Sequence, residues 1–183
     1  MRPLALGLCV LLSVPALARE REGVTSPANI EVGGKKLTLM GMGLRKKLFF
    51  KVYMASLYAE EPIEDGQKLI ASDQIKRVEM HMLRDLERGK IVEAVEQGFA
   101  RNSAADMPRL KDRLDRFLKS IPDLKEHQTI LINYFPGRGT VIKAGNGEEI
   151  TVEGKDFADA LFSVWLGAHP VDDELKSEML INH

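Results

Sequence analysis

Cysteine is almost absent from this chain. Cys9 is the single cysteine among 183 residues, and it lies in an apolar run near the amino terminus. Residues 19–183 contain none, which excludes disulfides, thiolate metal sites and a cysteine nucleophile from that part of the chain. We expect neither a metal site nor a cofactor, because the four histidines have no metal-ligand spacing: His81, His127, His169 and His183.

An excess of either charge is also lacking. The chain carries 26 lysines and arginines against 27 aspartates and glutamates, a formal net charge of −1. A protein so near neutrality generates no global basic field that would attract nucleic acid or anionic lipid. We therefore expect no nucleic acid among its partners, and the sequence identifies no protein partner.

Long apolar runs are missing except at the start of the chain. The basic Met1-Arg2 is followed by the apolar residues 4–14 and by Ala16-Leu17-Ala18, a small-x-small cleavage site. This pattern predicts a secretory signal peptide over residues 1–18, cleaved after Ala18. The apolar run is shorter than the roughly 20 residues that cross a bilayer. We expect a periplasmic protein without integral membrane association after cleavage.

Residues 19–183 have the length of one ordinary domain. A polar, flexible start is expected at residues 19–23. Period-two alternation predicts strands at residues 30–40 (split at Gly33-Gly34), 47–54, 74–83, 129–135, 140–143 and 149–152. Apolar stripes at helical spacing predict helices at residues 65–72, 87–102, 107–121, 156–166 and 172–181. Segregated strands and helices indicate an α+β domain, an antiparallel sheet with helices on one face.

Residues 41–61 carry most of the functional argument. Gly41 and Gly43 predict a sharp turn that presents Arg45 at the entrance to a long strand. A guanidinium held there is able to bind a carboxylate or an enolate oxygen. Alternation along the strand predicts one apolar face, formed by Leu48, Phe50, Val52 and Met54.

Four segments together resemble the chalcone isomerase-like superfamily, and its bacterial exported branch in particular: GMGLRKKLFFKVYMASLY, RDLERGKIVEAVEQGFARN, PGRGT and DFADALFSVWLGAHPVDDELK. They follow one another in consistent order over nearly all of residues 19–183. The resemblance implies a large, strongly curved antiparallel sheet, covered on one face by a layer of helices. It also implies a ligand cleft between the two layers.

This chain matches only part of the catalytic residue set that the resemblance to plant chalcone isomerases implies. Arg45 matches their arginine after the glycine turn, and Tyr53 stands where they have a threonine. The other polar positions hold residues without a matching donor: Ile91, Gly98 and Val164, the last of these next to Ser163. Each donor lost from such a site costs roughly 2.7 to 4 kcal/mol of transition-state stabilisation. The sequence therefore identifies no catalytic residue.

Non-catalytic members of this family bind fatty acids, with an arginine and a tyrosine at the carboxylate. The resemblance therefore implies a binder of a small lipophilic carboxylate such as a fatty acid. Arg45 would anchor the acid group with help from Tyr53. An apolar cleft would take the acyl chain, with five candidate lining residues: Phe50, Met80, Met82, Ile91 and Phe99.

Two other functions remain open. One is an isomerase, an intramolecular lyase acting on an enone, and the other is a protein-interaction module whose cleft is filled by side chains. Arg45 also has a purely structural interpretation, an ion pair with an acid such as Asp85. The five apolar candidates and Trp165 have a simpler interpretation as core. The lysines Lys46, Lys47 and Lys51 are either a solvated face or a guide for an anionic ligand.

Overall fold

A computed structural model describes residues 18–180 of the chain. Apart from Ala18, the predicted signal peptide lies outside these residues. The described part contains two antiparallel sheets. The smaller one has two strands, β1 (Arg19–Arg21) and β2 (Val24–Ser26). Residues 19–23, expected to be a flexible start, therefore include a strand, because Arg21 pairs with Val24 and its guanidinium forms an ion pair with Glu178 at 2.8 Å.

The main sheet is curled and has seven strands, and each strand pairs with the next one in the chain. Its strands are β3 (Asn29–Val32), β4 (Lys35–Lys47), β5 (Phe50–Ala59), β6 (Lys76–Met82), β7 (Thr129–Phe135), β8 (Gly139–Ala144) and β9 (Ile150–Val152). Gly33-Gly34 joins β3 to β4 as predicted, since both glycines have positive φ. Alternation in β6 is strict, with Val78, Met80 and Met82 buried.

Five α-helices accompany the sheet, and their ends differ from the predicted ones by one residue at most. They are α1 (Gly66–Ala71), α2 (Arg88–Asn102), α3 (Met107–Ser120), α4 (Lys155–Leu166) and α5 (Asp173–Leu180). Their apolar faces form the principal core with one face of the main sheet. The α+β prediction, a curved antiparallel sheet under a helical layer, is confirmed.

A second, smaller core lies on the other face of the main sheet. It contains Leu37, Met54 and Tyr58, together with Val24 of the small sheet. Ser26 Oγ and Ser56 Oγ, 2.7 Å apart, hydrogen-bond the two sheets to each other. The small sheet therefore covers part of the face that the helices leave open.

The predicted glycine turn is wrong. Gly41 and Gly43 lie inside β4, where they let α5 pack closely on the strand. A Cβ at Gly43 would lie 2.7 Å from the carbonyl oxygen of Leu175, and one at Gly41 would overlap the carbonyl oxygen of Glu178. The chain turns later, at residues 48–49, between paired residues at the ends of β4 and β5.

The predicted apolar face of residues 48–54 is also wrong. Arg45 pairs with Tyr53 and Lys46 pairs with Lys51, so Val52 is an unpaired bulge residue. The bulge shifts the alternation, and both Val52 and Tyr53 contact the principal core. Leu48 and Phe50 are exposed at the hairpin tip, while Met54 belongs to the second core. The bulge therefore turns Tyr53 towards the helices.

Candidate functional site

An apolar cavity of about 440 Å³ lies between the main sheet and the helices. Pockets that hold small molecules typically measure roughly 300 to 1,000 Å³. The walls come from β5, β6, β7, α2, α3 and α4 and consist mainly of buried apolar side chains: Val52, Met80, Met82, Ile91, Val95, Phe117, Ile121, Ile130, Ile132, Val164 and Trp165. The cleft is therefore open, and the alternative of a cleft filled by side chains is wrong.

Arg45 lies at the boundary between this cavity and a polar recess of about 250 Å³. The end of β4 and the bulge opposite it bring the guanidinium to that position. Arg45 lines both spaces, as do Lys47 and Lys90. The recess is otherwise lined mainly by polar side chains, Glu93, Gln97, Arg101 and His169. An amphiphile could therefore place its chain and its polar end on opposite sides of Arg45.

Arg45 is held by an ion pair with Asp172. Their Nη1 and Oδ2 atoms lie 2.7 Å apart, and the two side chains are 21% and 18% exposed. Asp172 Oδ1 also accepts a hydrogen bond from the Leu175 amide at 3.0 Å, which caps the start of α5. Asp85, proposed as a structural partner of Arg45, instead accepts a hydrogen bond from Lys125 at 2.7 Å.

Two nitrogens of the Arg45 guanidinium, Nε and Nη2, donate no hydrogen bond within residues 18–180. Within residues 18–180, both of its hydrogen bonds, to Asp172 and to the Lys46 carbonyl, come from Nη1. Nε and Nη2 are left for another acceptor. Two adjacent guanidinium nitrogens match the two oxygens of a carboxylate, so Arg45 is able to bind one in bidentate fashion while it keeps Asp172.

Tyr53 supplies a second donor on the same face of the sheet as Arg45. Its hydroxyl oxygen accepts a hydrogen bond from Trp165 Nε1 at 3.1 Å, which leaves the hydroxyl proton to be donated elsewhere. Burial raises the pKa of Tyr53 to about 12, although Trp165 and Arg45 both oppose that rise. The phenol is therefore protonated near neutral pH and acts as a donor.

The structure brings together six of the seven predicted site residues. Arg45, Phe50, Tyr53, Met80, Met82 and Ile91 line the cavity. Phe50 lies at the rim, half exposed, with the Arg84 guanidinium 4.6 Å from its ring centroid. Phe99 is fully buried outside the lining, and its ring centroid is 5.7 Å from that of Phe157. Phe99 therefore belongs to the principal core and not to the cavity wall.

Gly98 and Val164, two of the positions that hold no matching donor in this chain, lie against each other. A Cβ at Gly98 of α2 would lie 2.7 Å from Val164 Cγ2 of α4, so the two helices leave no room for a side chain there. Val164 lines the cavity, whereas the Ser163 hydroxyl donates to the Ala160 carbonyl at 2.6 Å. The wall at this point is therefore apolar, and it offers no hydrogen-bond donor to a ligand.

Asp172 and Trp165 are the site residues that the sequence argument missed. Asp172 directly precedes a predicted helix, which indicates an N-cap, but nothing local indicates its contact with Arg45. Trp165 was interpreted only as a core anchor, and it also lines the cavity and bonds to Tyr53. In residues 18–180, no group of three or more His, Cys, Asp or Glu side chains is placed to hold a metal ion. None of the described helices is long and apolar enough to span a bilayer.

Comparison with known proteins agrees with this architecture. The model of the chalcone isomerase-like family matches residues 18–181. A fatty-acid binding protein of Arabidopsis thaliana shares the fold, with a TM-score of 0.66 at 19% sequence identity over 90% of this chain and 96% of that one. No curated protein matches the sequence. Since the family model spans all of the described residues, the chain belongs to the chalcone isomerase-like family.

Proposed function

We propose that this protein is a non-catalytic binder of a small lipophilic acid such as a fatty acid. The observation that carries the proposal is the position of Arg45, between an apolar cavity and a polar recess. The acyl chain occupies the cavity, and the carboxylate binds Nε and Nη2 of Arg45. The shared fold with the fatty-acid binding protein of Arabidopsis thaliana supports this assignment.

Each part of such a ligand meets a matching surface. Burial of the acyl chain contributes about 0.8 kcal/mol per methylene group. The carboxylate gains charge-assisted hydrogen bonds from Arg45 and a further one from the Tyr53 hydroxyl. Asp172 keeps the guanidinium in place before a ligand arrives. Ring closure of an enone needs several preorganised donors, and the apolar wall at Ile91 and Val164 offers none.

The proposal includes export to the periplasm, which rests on the signal-peptide pattern of residues 1–18. The intact mass of the protein from a periplasmic extract tests it. The expected mass corresponds to a chain that begins at Arg19. A chain that keeps residues 1–18 and stays with the cytoplasmic fraction would contradict export but not ligand binding.

Calorimetric titration of residues 19–183 with hexadecanoate tests the binding function. Arg45→Ala should weaken binding roughly 10- to 100-fold, because it removes a charge-assisted pair of hydrogen bonds. Arg116→Ala, at an exposed arginine of α3 outside the cavity lining, is the matched control and should bind as the wild type does. Hexadecanol, which has no carboxylate, should bind the wild type and Arg45→Ala with equal affinity. Equal hexadecanoate affinity in wild type and Arg45→Ala would contradict the proposal.

A further inference from the structure

The tip of the β4–β5 hairpin is an unusual apolar surface. Leu48, Phe49 and Phe50 are 84%, 99% and 56% exposed, and they are the exposed large apolar side chains of the described part of the chain. Scattered exposed apolar residues are common on protein surfaces, whereas a contiguous group marks an interaction site. Three consecutive side chains of this kind at a protruding turn therefore call for a partner.

The turn itself does not explain why these residues are apolar. Leu48 is the first residue of a two-residue loop and has a φ of 56°. Glycine, asparagine and aspartate adopt this left-handed conformation easily, whereas a leucine at such a position is uncommon. A glycine would satisfy the turn at a lower conformational cost. The leucine side chain thus serves something other than the fold of the hairpin.

The charges beside the tip indicate the kind of partner. The tip is flanked by Lys46 and Lys47 on one side and by Lys51 on the other. Two of these lysines also face acids, Lys51 to Glu22 at 2.6 Å and Lys46 to Glu174 at 3.5 Å. Lys47 is exposed and has no ion pair within residues 18–180. Arg84 and Lys90 add positive charge at the adjoining cavity rim, beside Glu87 and the Lys125-paired Asp85.

We propose that this tip docks on the surface of a bilayer that contains anionic lipids. Leu48 and Phe49 enter the boundary between headgroups and acyl chains, while the flanking lysines extend to the phosphates. Stable protein–protein interfaces bury roughly 800 Å² per partner, and a tip of three side chains is small for that purpose. Insertion into a bilayer needs no complementary surface, so a lipid partner fits a small protruding tip better.

Docking would also orient the cavity. Leu48 and Phe50 belong to the cavity lining as well as to the tip, and the flanking Lys47 also lines the cavity. A tip inserted in the bilayer therefore holds the cavity opening against the lipid surface. In this position a lipophilic acid passes between membrane and cavity with little exposure to water. This last consequence rests on the proposed function, whereas docking of the tip does not.

Co-sedimentation with vesicles tests the docking. Residues 19–183, which contain every described strand and helix, are used, since the apolar residues 4–14 would themselves bind lipid. Phosphatidylcholine vesicles with and without phosphatidylglycerol contain no free acid, so the ligand plays no part. We expect binding to the anionic vesicles, weakened by added salt. The double variant Leu48→Gly/Phe49→Ser should lower the partition coefficient roughly a hundredfold.

Charge variants separate the lysines from the apolar tip. Lys47→Gln should lower partitioning about fivefold, whereas Lys143→Gln, at an exposed lysine of β8, should leave it unchanged. The Leu48→Gly substitution suits the turn conformation, and an unfolding temperature no lower than that of the wild type will show that the double variant is folded. No binding of wild type to anionic vesicles would overturn the proposal, as would equal binding by the double variant. A wild-type dimer that the double variant abolishes, without vesicle binding, would overturn it as well and assign the tip to a second copy of the chain.

Discussion

Arg45 and Asp172 form an ion pair at the edge of the candidate site, and the proposed ligand would meet both of their charges. The pair holds the guanidinium at the edge of the cavity, and it also provides a negative charge that competes with an incoming carboxylate. Asp172 thus has two roles, positioning of the guanidinium and competition with the ligand carboxylate. An isosteric substitution can separate them. The Asp172 side chain offers this, because its two oxygens have different partners.

Asp172→Asn should tighten hexadecanoate binding roughly three- to tenfold, because the competing charge is removed while the amide oxygen still caps α5 at the Leu175 amide. Asp172→Ala removes the cap as well, and should in addition lower the free energy of unfolding by about 1 kcal/mol. Calorimetry and urea unfolding measure the two effects. Weaker hexadecanoate binding by Asp172→Asn would contradict this prediction. It would show that Asp172 contributes more by orienting Arg45 than it costs by competing with the carboxylate.

At the scale of secondary-structure elements, the site depends on close packing of helices on the sheet and on each other. α5 lies on β4 because two glycines of the strand have no side chain, and this contact places Asp172 beside Arg45. α3 and α4 are joined by ion pairs that involve Asp156, and they supply Phe117, Val164 and Trp165 to the cavity wall. Substitutions at these contacts therefore change the site from a distance.

Gly43→Ala should destabilise the fold by roughly 2 kcal/mol, because a new Cβ would lie 2.7 Å from the Leu175 carbonyl oxygen and α5 would have to move. Gly89→Ala is the matched control. Nothing lies within 4 Å of a Cβ at Gly89, which is in the first turn of α2, so this substitution should be neutral or stabilise the protein by up to about 1 kcal/mol. Urea unfolding measures both, and equal effects would contradict the packing argument.

Asp156 should contribute stability that disappears in acid. Hydrogen bonds from Arg113, opposed by partial burial, lower its pKa from 3.8 to about 2. A carboxyl group with a lowered pKa in the folded state stabilises the protein above its unfolded pKa and loses that contribution as the pH falls towards the folded value. Asp156→Asn should therefore cost about 1 kcal/mol at pH 7, after allowance for solvent screening.

The difference between wild type and Asp156→Asn should shrink as the pH falls from 4 towards about 2. Denaturant unfolding at several pH values measures it. Asp115→Asn is the control, since the exposed pair of Asp115 with Lys111 on one helix is screened by solvent and contributes little to stability. A difference that stays constant down to pH 2 would show that the ion pairs of Asp156 do not cause the effect.

Local signals predicted most elements but not the contacts between them. Alternation in residues 76–82 and the apolar stripe of residues 88–102 identified β6 and α2, because one face of each is buried against the same core. The bulge at Val52 has no comparable signal, and it places Val52 and Met54, which were predicted to share one face, on opposite faces of the sheet. The two glycines of β4 were interpreted as a turn, although their role depends on a helix that lies more than 130 residues later.

The residues of the candidate site likewise fall into those that the sequence predicted and those that it did not. Resemblance to the family identified Arg45 and Tyr53, and alternation identified Met80 and Met82. The partners Asp172 and Trp165 lie 127 and 112 residues away from the groups they contact. Such contacts follow from how the helices fold back on the sheet, which no local pattern encodes. Phe99 shares its helical face with Ile91 but lies deeper in the core.

On the scale of the whole molecule, the volume between sheet and helices should limit the size of the proposed ligand. Each methylene group added to a saturated acid should tighten binding about fourfold while the chain still finds room in the cavity of about 440 Å³. Affinity should then stay level or fall. Calorimetry over a series of chain lengths measures this dependence. An affinity independent of chain length would mean that the acyl chain does not enter the cavity.

The central claim is that Arg45 anchors an acid in this cavity. Native mass spectrometry of residues 19–183, purified gently from the exported fraction beside Arg45→Ala, tests it most directly. The predicted result is a bound lipophilic acid on the wild-type protein that is lost in the variant. A wild-type protein without any adduct, which also takes up no added hexadecanoate, would contradict the account.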